Sequence, residues 1–150
     1  MFKKNGFTLL EILIVIAIIG ILSGFVTIQV TSSIGKSYDS RRKSDLNAIQ
    51  KALESYYNDN NAYPSSLTFG GALCATAGCS SANYMKPLPN DPHTCSYAYI
   101  VGSNNQSYQL YSTLGNSADI GTGIVQTGYT IPSCGSCICK YGVSSSNTTP

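Results

Sequence analysis

From Ile12 to Gly35 the chain carries no charged side chain, and Ile12–Leu22 is apolar throughout. This run limits the fold more than any other feature. Wound as helix, its 24 residues would reach about 36 Å at 1.5 Å per residue, enough for a bilayer core of ~30 Å. Lys3 and Lys4 stand before it. Short basic flanks stay on the cytoplasmic side, so the bulk of the chain is expected outside. A cleaved secretory signal has the same outline, with Leu22-Ser23-Gly24 as its small-residue site. Glu11 argues against that reading. It stands between Leu10 and Ile12 at the head of the run, where a signal peptide gains nothing from an acid. Carboxylates in such positions are there for a partner.

Composition then narrows the chemistry. The 150 residues hold one ordinary domain, or a smaller domain with an anchor. Charged residues make up 11%, there is one His, and beyond Asn60 the only charges are Lys86, Asp91, Asp119 and Lys140. An acid–base or metal-dependent enzyme has few parts to work with here. A net charge of +2 does not make a nucleic-acid binder of the usual kind. A structural or binding protein is the expectation.

Lys3-Lys4-Asn5-Gly6 followed by Phe7-Thr8-Leu9-Leu10-Glu11 resembles the leader and mature start of type IV pilins and pseudopilins. The resemblance implies that a membrane prepilin peptidase cuts the Gly6–Phe7 bond on the cytoplasmic side. Phe7 is then N-methylated, and the mature chain runs from Phe7 to Pro150. Such a cut removes Lys3 and Lys4 and creates an α-ammonium four residues before Glu11. A carboxylate in hydrocarbon needs a cation. The resemblance implies that Glu11 meets the Phe7 ammonium of a neighbouring subunit and sets axial register during assembly. The local alternative pairs Glu11 with its own amine, or with its own helix N-terminus through the dipole. Gly20 and Gly24 form a GxxxG, a spacing that lets helices approach closely. Many relatives carry a Pro later in this helix. Here none precedes Pro64, which leaves Gly20 and Gly24 as the points of local unwinding.

Beyond the apolar run the helix is expected to continue. Leu46, Ile49, Leu53 and Tyr56/Tyr57 recur at steps of three and four, and no Gly or Pro falls between Lys36 and Ala62. Asp39–Lys43 and Arg41–Asp45 at i,i+4, with Lys51–Glu54 at i,i+3, are candidate helix pairs. One helix of about fifty residues should run from Thr8 to near Asn58 and stop before Pro64. Arg41-Arg42-Lys43, the only basic run, reads as a solvated or intersubunit face. Tyr97–Val101, Ser107–Leu114 and Ile124–Ile131 read as strands, with a hairpin loop at Gly102-Ser103-Asn104-Asn105. Ser144–Pro150 reads as a flexible tail. The fold class expected is α+β and pilin-like: a leader over 1–6, a membrane or filament-core half-helix over 7–35, a globular domain over 36–143 with an antiparallel sheet packed on the helix, and a tail over 144–150.

Ser44-Asp45-Leu46, Ala52-Leu53, Tyr57, Asp59-Asn60 and Tyr63-Pro64, then Leu88-Pro89-Asn90-Asp91-Pro92 before Tyr97-Ala98-Tyr99, resemble the major pseudopilins of type II secretion. Leu114-Gly115 and Ala118-Asp119-Ile120 echo their late loop, and the likeness ends near Ile120. His93-Thr94 stands where those proteins carry Trp-Gly. In pseudopilins the late loop binds calcium, and here Asp119 and the carbonyls near Leu114 are the remaining ligand candidates. No cofactor is the main expectation. The six cysteines, Cys74, Cys79, Cys95, Cys134, Cys137 and Cys139, all fall outside the membrane, where disulfides form. Cys74–Cys79 closes a small loop. Cys95 is expected to join one of the last three, leaving Cys134–Cys137 or Cys134–Cys139, while Cys137–Cys139 would make a strained ring. Such bonds would staple the C-terminal segment as in pilins. Zinc held by Cys134, Cys137 and Cys95 or His93 is the rival.

The function implied is a filament subunit of a type IV pilus or a type II secretion pseudopilus. Its partners would be copies of itself, the prepilin peptidase, an inner-membrane assembly platform and, before assembly, membrane lipid. It would begin as a single-pass inner-membrane protein with its domain on the periplasmic side, and end in the filament. The alternative is a minor pilin acting as a tethered adhesin or DNA-capturing module, against which the sparse charge speaks.

Overall fold

The computed structural model describes residues 6–75, 83–130 and 132–150, with backbone alone for 25–32. Helix α1 spans Leu9–Asn60, 52 residues. The chain divides into two compact units, Met1–Gly35 and Lys36–Pro150.

In the first unit the apolar side chains from Phe7 to Leu22 are exposed to solvent in the single chain. Ser23 Oγ donates to Ile19 O at 2.7 Å, so its hydroxyl is satisfied within the helix. A side chain added at Gly20 or Gly24 would meet nothing within 4 Å. Among the described residues no helix is long and apolar enough to cross a membrane. The expected span runs through 25–32, whose side chains lie outside those residues.

The second unit is α+β and pilin-like. Leu46, Ile49 and Leu53, spaced by three and four, are all at 0% exposure. They form one core with Tyr63, Leu73, Leu88, Tyr97, Tyr108 and Leu110, while Tyr56 and Tyr57 pack at its edge. Strands β1 (Leu73–Cys74) and β2 (Asn83–Met85) pair antiparallel. Strands β3 (Ala98–Val101) and β4 (Tyr108–Ser112) form a hairpin in which Tyr99 faces Leu110. Its loop is a single 3-10 turn, Ser103–Asn105, in which Asn104 and Asn105 take positive φ. Asn is among the few residues that tolerate that conformation. Strands β5 (Ser133–Cys134) and β6 (Cys137–Ile138) make a second small hairpin.

The third strand of the main sheet is not Ile124–Ile131. It is β7, Tyr141–Ser144, which completes the order β3-β4-β7 with Leu110 opposite Val143. Ile124 keeps one isolated bridge to Tyr141. Gly128, at φ +91, breaks the run, because such a backbone does not extend a strand. Ile131 lies outside the described residues. The segment read as a flexible tail is instead bonded to β4. Ser145, 2% exposed, donates its N–H to Tyr108 O at 3.1 Å and accepts Tyr108 N–H on its Oγ at 3.2 Å. Asn147 Nδ2 donates to Gln106 O at 2.8 Å, and Gln109 Nε2 donates to Thr149 O.

Tyrosine fills much of this core. The rings of Tyr57, Tyr63 and Tyr108 meet in sequence, the first pair stacked at 4.5 Å and the second edge to face at 4.6 Å. The hydroxyls of Tyr63 and Tyr108 donate to the two oxygens of Glu54 at 3.0 Å, and Tyr97 OH donates to Asp45 at 2.7 Å. A buried phenol needs such a partner, and the helix carboxylates supply it. Glu54 thus serves the tyrosines rather than Lys51. Burial raises the Tyr63, Tyr97 and Tyr108 hydroxyls well above the ordinary phenol range, and the neighbouring carboxylate adds to it.

Candidate functional site

Gly6 and Phe7 precede α1 in exposed chain, and a Cβ at Gly6 would meet no atom within 4 Å. Helix α1 starts at Leu9 because Thr8 caps it. Glu11 N donates to Thr8 Oγ1 at 3.3 Å, while Glu11 Oε2 accepts from Thr8 N and Thr8 Oγ1, each at 2.8 Å. This is a reciprocal capping box, Thr-x-x-Glu. The local reading of Glu11 is thus present in the single chain, through Thr8, a residue the sequence reasoning passed over although the spacing was visible. Both bonds fall on Oε2, and among the described residues none reaches Oε1.

The basic run of α1 is solvated only in part: Arg41 is exposed, whereas Arg42 and Lys43 are paired within the unit. Arg42 is buried between two carboxylates. Its Nε and Nη2 donate to Asp91 at 2.7 and 3.0 Å, and its Nη1 donates to Asp39 at 3.0 Å. The three side chains are 6%, 0% and 4% exposed. Asp91 also accepts His93 N–H at 2.9 Å, so the Pro-Asn-Asp-Pro turn is locked to the helix. Asp39 accepts Gly115 N–H and Asn116 N–H, the latter at 2.8 Å, and so holds the start of the late loop. Burial alone would raise the Asp91 carboxyl, but the hydrogen bonds and charge of Arg42, with the His93 N–H, hold it below the ordinary value. Burial likewise opposes the Arg42 charge, and its two carboxylates outweigh it. Only Arg41 faces outward, with a 3.9 Å pair to Asp45.

Lys43 reaches Asp119, not Asp39, with Nζ 2.5 Å from Oδ2. Gln126 Nε2 donates to Asn116 O and Asp119 O. Calcium takes six to eight oxygens, carboxylates among them. This loop brings one carboxylate, already held by an ammonium, and two carbonyls already held by an amide. Among the described residues no three of His, Cys, Asp and Glu converge on a metal position. The residues present do not fit a calcium ion.

Cys95 bonds Cys137, 42 residues away, and Cys134 bonds Cys139. Those sulfurs leave no thiolates for zinc. Cys134 and Cys139 are fully buried against Tyr111, and the Cys95–Cys137 bond staples the β5–β6 hairpin to the segment just before β3. Cys74 is disulfide-bonded, while Cys79 lies outside the described residues.

Residues 1–27 match the family described as Prokaryotic N-terminal methylation motif. Residues 29–126 match Type II secretion system (T2SS), protein G. The chain belongs to the protein G family of type II secretion. The Type II secretion system core protein G of Pseudomonas aeruginosa is 37% identical over 135 aligned positions, covering 79% of this chain and 94% of that one. The protein of the same description in Escherichia coli is 34% identical, covering 80% and 87%, and that of Vibrio cholerae 29%, covering 83% and 94%. No solved structure matches the chain significantly. The protein G match takes in Arg42, Lys43, Asp91 and Asp119 and stops before the β5–β6 hairpin and β7.

Proposed function

We infer that this chain is the major pseudopilin of a type II secretion system: a structural subunit, not an enzyme. It is matured by a prepilin peptidase at Gly6–Phe7 and anchored in the inner membrane by its N-terminal half-helix, with the globular unit on the periplasmic side. An inner-membrane assembly platform then polymerises it. The family supports the pseudopilus over a surface pilus. A tethered adhesin or DNA-capturing module has less support, because Arg42 and Lys43 are engaged by Asp39, Asp91 and Asp119 and are not free for phosphates.

One observation carries the assembly role. Glu11 is tied to its own cap through Oε2, and among the described residues nothing reaches Oε1, which leaves that oxygen for a cation. Cleavage creates that cation at Phe7 in every copy. In an apolar filament core an uncompensated charge costs roughly 3–5 kcal/mol, so the carboxylate and a neighbour's amine should find each other at each added subunit. The test is Glu11→Val. Membrane insertion and folding of the second unit should persist, because its core lies beyond Lys36. Filament counts by electron microscopy should collapse, with membrane-fraction blots unchanged. Normal filaments would mean that Glu11 serves only its own helix.

A further inference from the structure

The late loop is closed by the chain's own nitrogen donors. The carbonyls of Asn116 and Asp119 converge on Gln126 Nε2, and the Asp119 carboxylate is met by the ammonium of Lys43, 76 residues earlier in the chain. The same ammonium lies 5.7 Å from the Tyr141 ring centroid, a distance at which the π face attracts a cation. One helical turn before Lys43, Asp39 takes the N–H groups of Gly115 and Asn116. An i,i+4 pair that could have satisfied itself on the helix surface is instead opened, the carboxylate gripping the start of the loop and the ammonium its end.

We propose that Lys43 is the resident cation of the late loop, and that this pseudopilin folds and holds the loop without a divalent metal. The ammonium is a compact charge with three donors. It neutralises the one carboxylate that the loop provides, and a calcium ion on the same oxygens would sit against it with no second carboxylate to offset the repulsion. The rival arrangement is defined by Gln126, whose Oε1 is buried with no partner among the described residues. With the amide turned over, that oxygen would face two carbonyls, and only a cation between them would hold it there.

The experiment is thermal unfolding of the full chain, oxidised and in detergent, with EDTA and then with millimolar calcium chloride. Wild type should melt at the same temperature in both. Lys43→Met should melt about 2–4 °C lower in EDTA, the shift that a modest loss gives in a chain of this size. Asp119→Asn should cost a similar amount, and the double variant little more than either, as coupled partners do. A calcium response that appears only in Lys43→Met also supports the proposal, because removing the ammonium frees the oxygens. Wild type gaining several degrees on calcium overturns it, as does an unchanged melting temperature for Lys43→Met. If a variant fails to fold, the wild-type comparison alone still decides.

Discussion

A side chain added at Gly6 would meet no atom of the described residues within 4 Å, so a substitution there tests processing rather than folding. We expect Gly6→Ala to fold normally and to be processed slowly, and a bulky residue there to block processing. Intact-mass spectrometry should find wild type beginning at methylated Phe7. A start near Phe25 would restore the ordinary signal peptide. Arg42 is the residue with most to lose inside the second unit. Replacing it by Met would strand Asp39 and Asp91 as buried charges. Removing one partner of a buried pair costs roughly 3–5 kcal/mol, a loss that denaturant unfolding would report directly. Lys43→Met should cost far less, because Lys43 and Asp119 remain partly exposed and such pairs are weak. If the two variants proved equally mild, the Arg42 network would be ornamental.

The element that sequence reasoning placed worst is the last strand. Its alternation is short, Tyr141 and Val143 around Gly142, and polar residues follow at once. Gly142 is required there because a Cβ would lie 2.9 Å from the Tyr111 ring. The Ser-rich end that looked loose works by hydrogen bonding: Ser145 Oγ satisfies a buried Tyr108 N–H. We expect Ser145→Ala to cost about 1–3 kcal/mol, the penalty for an orphaned buried donor, and to speed hydrogen exchange at Tyr108. No change at that amide would return 144–150 to a loose tail. The disulfide staple belongs to the same scale. Peptide mapping under non-reducing conditions should recover Cys95–Cys137 and Cys134–Cys139 as separate links, and a Cys134–Cys137 link would contradict the fold.

At the scale of the whole molecule, the Lys36–Pro150 unit has one acid-sensitive joint. The folded Asp91 carboxyl sits below its ordinary value, so the unfolded chain binds a proton there more readily than the folded one. Its contribution is therefore complete above the ordinary Asp range near ~3.9 and is lost as pH falls through the lower folded value. Stability should be flat across neutral pH and fall in strong acid. Asp91→Asn should start lower and flatten the acid limb, as a urea-midpoint series against pH would show.

The sequence alone determined the long helix, its inner face at Leu46, Ile49 and Leu53, the β3–β4 hairpin, and the N-terminal methylation motif that residues 1–27 match. These are local: periodicity, turn residues and a contiguous motif express them without any distant partner. Only the tertiary structure decided what Arg42, Lys43 and Asp39 do. On a helix alone, charges four apart would bond one another. Packing brings Asp91 and Asp119 to them from 49 and 76 residues away, and a buried guanidinium takes the partners that desolvation makes necessary. The strand choice between Ile124–Ile131 and Tyr141–Ser144 was decided in the same way. Both segments carry apolar residues, and the free edge of β4 took the one whose backbone extends.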